Sequence, residues 1–313
     1  KQMGYQLFGL LSLVRVYNLF WVVLAQYFVA FFIFGVGDNK LLLLRNFELH
    51  LIVFITSCII AAGYILNHLY DSQKDLINRP YKSIIDGQIS RGHKWSFLVG
   101  INVLALSLSL LISLKSFLFF NFYIFSIWMY SHRIKRIPLL GNFFAAILSV
   151  IPILAVSIYF DKFDLLNAYQ ALFLFLLLVI KELIKDLENL KGDLALSYST
   201  YAVENGERST KKIIAFVAVG CIVSAAFLFE QEQMQILKPY FLYTIIFLGV
   251  LTVTLFLVNN NKSYLFLYNF VKLNIVMGIA SLTFLDQQFW FCIDLLLLFA
   301  FFQMLVSIVF LHF

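Results

Sequence analysis

The stretch NHLYDSQKD, residues 67–75, sets an amide and two carboxylates at intervals of four: Asn67, Asp71 and Asp75. On a helix this spacing keeps all three in one slowly drifting stripe, where like charges repel unless a cation lies between them. A second stretch, KELIKDLENLKGD at 181–193, repeats the theme. It places Glu182, Asp186, Asn189 and Asp193 at intervals of four, three and four, with Lys181 and Lys185 on the adjoining flank. Hard oxygen donors of this kind suit Mg²⁺, which keeps several waters and binds through a few carboxylates plus substrate phosphate oxygens. Neighbouring cations then hold the remaining phosphate charge. One such stripe alone is more often a solvated helix end; two together predict a diphosphate bridged by Mg²⁺ between two acidic helix ends. Calcium or a transported cation fits the same ligand types.

The elements that must carry these stripes follow from composition. Of 313 residues, 62% are hydrophobic and 13% charged, against about 25% charged in an ordinary soluble domain. Apolar runs near the length that crosses a bilayer recur from end to end. They lie near 16–36, 51–70, 96–114, 116–131, 139–160, 167–185, 213–229, 239–258, 264–284 and 289–312. No strand pattern competes with them, and lipid-exposed backbone must satisfy its own hydrogen bonds. The expected architecture is all-α, one polytopic membrane bundle of nine or ten transmembrane helices over residues 1–313, surrounding a central cavity. The run after Arg15 is long enough to span and is read as a helix. Cys58, Cys221 and Cys292 all fall inside apolar runs, as small core residues do, and suggest neither a disulfide framework nor a zinc site.

Fourteen of the 23 basic residues occupy three stretches, 71–95, 132–138 and 181–212. By the positive-inside rule those stretches and the N-terminus face the cytoplasm, and the net charge of +6 is assigned to anionic membrane lipid, not to nucleic acid. Nine of the seventeen acids share two of these stretches, which the rule does not require. Asp71 and Asp193, read as exposed helix-end acids, are expected to be replaceable without loss of the fold.

NHLYDSQKD followed by INRPYKSIIDGQIS resembles the first signature of the UbiA superfamily of intramembrane prenyltransferases, an N-x-x-x-D-x-x-x-D run with an NRP-type segment and a glycine. KDLENLKGD with the segment ending at Thr200 resembles the second; Arg15 and Asn18 resemble its R-x-x-N, and YSHRIKR with Gly141 and Asn142 its basic segment. The resemblance covers about the first 200 residues in order; the last 100 add helices and no motif. It implies Mg²⁺-dependent transfer of a prenyl group from a prenyl diphosphate to an acceptor, with Mg²⁺ and cations neutralising the leaving group. It implies a catalytic and metal-holding set of Asn67, Asp71 and Asp75 with Asp186, Asn189 and Asp193. Arg79, Lys82, Arg133, Lys135 and Lys185 become substrate partners, and Arg15 with Asn18 line the cavity. Many family members carry Asp where Asn189 stands, and His68 occupies a place often held by Asp; a hydrogen-bonding or packing role is expected of it.

Within the family, RVYNLFWVVLAQYF and KELIKDLENLKGD resemble most the branch that prenylates geranylgeranylglycerol phosphate, a lipid precursor. A phosphorylated acceptor needs further cations, for which Lys181, Lys185, Lys191 and Arg136 are available. An aromatic quinone precursor of the hydroxybenzoate or dihydroxynaphthoate type is the alternative acceptor, and cyclisation without an acceptor is a third outcome. A cation-coupled transporter is the reading from another class; its site belongs near mid-membrane, whereas these acids stand at the ends of their spans. DGQISRG, 86–92, resembles the opening of the CDP-alcohol phosphotransferases, but four residues after Gly100 that motif needs Asp and the chain has Leu104.

Overall fold

A computed structural model describes residues 9–34, 40–78, 89–161, 164–196 and 198–285. Its helices are α1 (Val16–Phe28), prolonged by a π-helical stretch (Val29–Phe34), α2 (Phe47–Asn78), α3 (Arg91–Ile112), α4 (Leu114–His132), α5 (Leu140–Tyr159) and α6 (Leu165–Glu188). After these come α7 (Leu190–Ala195), α8 (Tyr201–Glu230), α9 (Lys238–Leu257) and α10 (Asn261–Ser281). Among the described residues, eight helical segments are long and apolar enough to cross a membrane. The ninth long helix, α4, is the less apolar one, with Lys115, Asn121 and His132 in its sequence. The span expected at 289–312, like Arg79 and Lys82, lies outside the described residues.

Local chemistry fixes the ends. Between α3 and α4 a single extended residue, Ser113, ends one helix and caps the next, accepting from the Ser116 N–H at 3.0 Å. Asp164 caps α6 through the Asn167 N–H at 2.7 Å, and Asn260 caps α10 through Ser263 at 2.7 Å; each satisfies a helix-start donor that lipid cannot. Pro152 inside α5 has no N–H to give Leu148, and the Tyr123 hydroxyl donates to that carbonyl instead, at 3.0 Å. Gln26, fully buried on α1, donates to the Pro152 carbonyl at 3.0 Å and ties α1 to α5. In α8 the helix kinks at Gly206, whose φ of 77° only glycine adopts cheaply.

Apolar packing divides into two cores. One is built from α1 to α5, the other mainly from α6, α8, α9 and α10 with part of α5. A small third cluster, centred on Trp21 and Val276, joins α1 to α10 and closes the ring. Inside the ring lies an apolar cavity of about 420 Å³, lined from α1 by Val29 and Ile33, from α5 by Leu154, from α6 by Leu174 and from α10 by Ile275 and Ile279.

Candidate active site

The first stripe rides on one unbroken helix. α2 runs well past the apolar run that predicted it, so Asn67, Asp71 and Asp75 leave the apolar core on a stem without a hinge. The second stripe departs from expectation. α6 ends at Glu188, Asn189 takes a non-helical conformation (φ −88°, ψ 3°), and Asp193 belongs to a separate short helix, α7. The expected single face is therefore broken at its third member. Two neighbouring amide-and-acid positions explain why spacing alone missed this, since Asn ends helices readily.

Both stripes meet at one cavity of about 110 Å³, lined by Asn67, Asp71 and Asp75 from α2, Asp186 and Asn189 from the end of α6, and Arg15, Lys135 and Lys185 among the cations. That is room for an ion with its waters or a small anion. Asp193 is fully buried one turn beyond Asn189 and is not among the lining residues. The expectation that it is an exposed, freely replaceable acid is thus corrected: a buried carboxylate belongs to the packing as well. Asn18 sits in the first turn of α1 and Arg133 is an exposed residue at the end of α4; neither lines the cavity.

Cations reach Asp71 from outside its own helix. Lys135 Nζ stands 2.6 Å from Asp71 Oδ1, with its side chain 8% exposed. It is presented by a 3-10 turn (Ile134–Arg136) that presses on the start of α5, where Gly141 leaves space: a Cβ there would meet the Lys135 carbonyl oxygen at 3.0 Å. The Tyr198 hydroxyl donates to the same Asp71 oxygen at 3.1 Å, and the Arg136 guanidinium lies 4.9 Å from the Tyr198 ring centre. Burial first, then the Asp71 carboxylate, pushes the Tyr198 phenol up to about 12, so it remains a donor.

Other partners orient the remaining ligands. Asn142 Nδ2 donates to Asp186 Oδ2 at 2.7 Å, and Ser131 Oγ donates to Asn67 Oδ1 at 2.7 Å, leaving that amide oxygen a second lone pair. His68 Nε2 accepts from Lys94 Nζ at 3.1 Å, which turns its Nδ1 side toward Asp75 Oδ2, 3.9 Å away. The hydrogen-bonding role expected of this histidine agrees with that geometry. Glu182 is held by both Lys181 (3.0 Å) and Lys185 (2.7 Å); the two lysines expected to be available for a second anion are thus already matched to a carboxylate. Arg15 adopts a left-handed conformation (φ 51°, ψ 54°) with its guanidinium 5.1 Å from the Tyr64 ring centre. Such a backbone costs a non-glycine residue about 1 to 2 kcal/mol, and it points the side chain into the cavity.

Among the described residues no three of His, Cys, Asp and Glu form a ready metal cage. Apart from His68, whose Nε2 is taken by Lys94, the metal-binding groups that face the cavity are carboxylate and amide oxygens, and two of them, Asp71 and Asp186, are held in place by Lys135 and Asn142. This set fits Mg²⁺ completed by water and phosphate oxygens, and does not suit a metal that demands a full protein cage. Tyr130, Tyr198, Thr200 and Ser131 are site residues that sequence reasoning missed. Tyr198 and Thr200 lie in the segment that ends the second signature, and Tyr130 and Ser131 open the basic segment YSHRIKR; the segments were marked, these side chains within them were not.

Comparison with known proteins adds to this geometry. The model of the UbiA prenyltransferase family matches residues 28–270. A digeranylgeranylglyceryl phosphate synthase of Thermococcus gammatolerans is 31% identical over 191 residues, covering 61% of this chain and 66% of the relative. Its counterpart from Sulfolobus acidocaldarius is 29% identical over 213 residues, 66% of this chain and 72% of the relative. These matches span about two thirds of the relatives' length. A UbiA homologue from Archaeoglobus fulgidus, solved with GPP and Mg²⁺ bound, has a TM-score of 0.64 over 88% of this chain and 99% of that one, at 18% identity, which demonstrates the shared fold.

Proposed function

The chain belongs to the UbiA prenyltransferase family, and from this premise we propose that it transfers a prenyl group from a prenyl diphosphate to a phosphorylated glycerol-lipid acceptor, with Mg²⁺ as cofactor. The observation that carries the reading is the convergence of Asn67, Asp71 and Asp75 with Asp186 and Asn189 on one cavity edged by Lys135 and Arg15. Two acid stripes more than a hundred residues apart have no packing reason to meet; a diphosphate with divalent metal gives them one.

In this reading Asn67, Asp71 and Asp75 hold one ion and Asp186 and Asn189 another, with Asp193 behind them. Bound Mg²⁺ supplies charge neutralisation of the departing diphosphate. Lys135 and Arg15 share that task, each fixed by a partner, so little reorganisation is needed as charge develops. The carbon–oxygen bond of the allylic substrate breaks with its electron pair leaving on the diphosphate, and the acceptor's hydroxyl oxygen forms the new bond and releases its proton. The apolar cavity begins about 8 Å below the acids, the distance along α6 from Glu182 to Leu177. An isoprenoid tail has the chemistry to fill it, and its walls keep water from an allylic cation.

The acceptor assignment draws on the relatives, which are digeranylgeranylglyceryl phosphate synthases. The basic stretches at 71–95, 132–138 and 181–212 favour the cytoplasm for the site face. The test is incubation of purified protein and Mg²⁺ with labelled geranylgeranyl diphosphate and a panel of phosphorylated glycerol-lipid and aromatic acceptors. Transfer to the phosphorylated lipid is expected. Transfer to an aromatic acceptor alone, or conversion of the prenyl chain with no acceptor at all, overturns the assignment.

A further inference from the structure

Lys272 belongs to none of the motifs. It stands about 16 Å along α10 from Asn261 at 1.5 Å per residue, and Asn261 is bonded to the Glu188 carbonyl at the site end of α6. A lysine at that depth in an apolar helix is costly to keep. Its ammonium lies 5.2 Å from the centres of two rings, Tyr17 on α1 and Tyr268 one turn away on α10. Among the described residues it has no carboxylate within ion-pair distance, whereas Lys135 is matched to Asp71 and Lys181 and Lys185 to Glu182. The charged and titratable groups nearest to it are Tyr268, Tyr17, Arg15 and Tyr64. Two cations and three phenols thus face one another across the α1–α10 flank. Rings hold an ammonium in place, but they carry no net charge and leave it uncompensated.

Its level in the bundle matters. On α6, Leu177 lines the apolar cavity and Glu182 and Lys185 the polar one; Lys181 falls between. On α10, Ile275, Gly278 and Ile279 line the apolar cavity, and Lys272 precedes them on the side of the site. By the same rise Lys272 is level with Leu177 on α6, at the layer where the tail cavity begins below the diphosphate cavity, beside the two cavities and in the lining of neither; the reacting carbon of a bound prenyl diphosphate is placed at this layer. An acceptor hydroxyl must arrive at this layer. In a glycerol phosphate the anionic group is only one or two carbons from that hydroxyl, so its binding cation must lie here too and not among the lysines already paired at the site end.

We propose that Lys272, steadied by Tyr17 and Tyr268, binds the phosphomonoester of the acceptor on the α1–α10 flank, beside the acidic stripes that bind the donor. The inference rests on the phosphorylated-acceptor reading given above. It separates two anions by wall: the diphosphate against α2 and the end of α6, the acceptor phosphate against α10. Lys272 is then a substrate-binding residue that sets acceptor specificity.

The test compares the full chain with Lys272→Met and Lys272→Arg, using the phosphorylated glycerol lipid and the same lipid without its phosphate. In Lys272→Met the KM for the phosphorylated acceptor is expected to rise at least about tenfold, with a much smaller change in the KM for prenyl diphosphate. The preference for phosphorylated over neutral acceptor, as a ratio of kcat/KM, falls by a similar factor, and Lys272→Arg recovers most of it. If the wild-type chain uses the phosphorylated lipid but Lys272→Met leaves that preference intact, or raises both KM values equally, the assignment of Lys272 is wrong while the acceptor reading stands. If the wild-type chain does not use the phosphorylated lipid, both fall together. Should Lys272→Met not fold, Tyr17→Leu, at a half-exposed ring, replaces it: an unchanged acceptor preference in that variant also overturns the proposal.

Discussion

The two acidic stripes look alike in sequence and are built in different ways. The first lies on a single stem, α2, and receives its cation and its phenol from distant segments, Lys135 and Tyr198. The second brings its own cations: Glu182 is clamped between Lys181 and Lys185 within one turn of α6, and the chain then breaks at Asn189 before Asp193. In the first, a carboxylate is held in a half-open position by partners it can release to a ligand. In the second, the charges nearest the apolar core, Glu182 and Lys185, also line the cavity but are paired with one another, and Asp186 and Asn189 beyond them complete the lining from that helix end. Like spacing therefore does not imply like duty; what distinguishes the stripes is where their counter-charges come from.

Substitutions in the two stripes are expected to separate catalysis from stability. Asp71→Asn has the largest effect: a loss of about a thousandfold in kcat/KM, or about 4 kcal/mol of transition-state stabilisation, with little change in the thermal midpoint in detergent. An Asp71→Asn protein of near wild-type activity removes this residue from the reaction. Glu182→Gln is the converse. It leaves two partly buried ammonium groups facing an amide, which costs about 2 kcal/mol of stability, read as a lowered midpoint in thermal unfolding before any kinetic assay. A variant as stable as the wild type with impaired turnover would show that Glu182 acts on the substrate and would erase the contrast.

Lys135→Met comes next, about a hundredfold in kcat/KM, because it removes both the proposed phosphate partner and the group that positions Asp71; Lys135→Arg should restore part of this. Tyr198→Phe is the smallest, a loss of about tenfold, the low end of what one hydrogen bond to a charged group contributes. Its pH signature sharpens the assignment. The phenol is raised from 10.0 to about 12 in the folded chain, so the stabilisation from its proton is complete below pH 10 and is lost as pH rises toward 12. The wild-type and Tyr198→Phe proteins should accordingly run parallel in their activity–pH profiles from about pH 6 to about pH 9, well below that titration, a comparison made by initial-rate measurement.

Some of this was legible from residue types alone. Apolar runs marked the spans because lipid forces every backbone group into a helix, and the intervals between acids marked Asp71, Asp75 and Asp186 because helix periodicity is local. The close approach at Gly141, the Ser131 bond to Asn67 and the Tyr198 bond to Asp71 were not legible, since each depends on how the chain folds back on itself. Arg133 and Lys135 are equivalent by composition; the turn that carries them sends one outward and the other onto Asp71.

By itself the sequence determined the solvent, the helical class and which segments carry hard oxygen donors, for these depend on composition and on spacing within a single helix. Only the tertiary structure decided that the two stripes share a cavity, that Glu182 is committed to two lysines, that Asp193 is buried and that Lys272 stands beside tyrosine rings without a carboxylate among the described residues. The physical reason is that charge compensation acts through space. Which ion answers which is set by how the helices pack, and no interval along the chain encodes it.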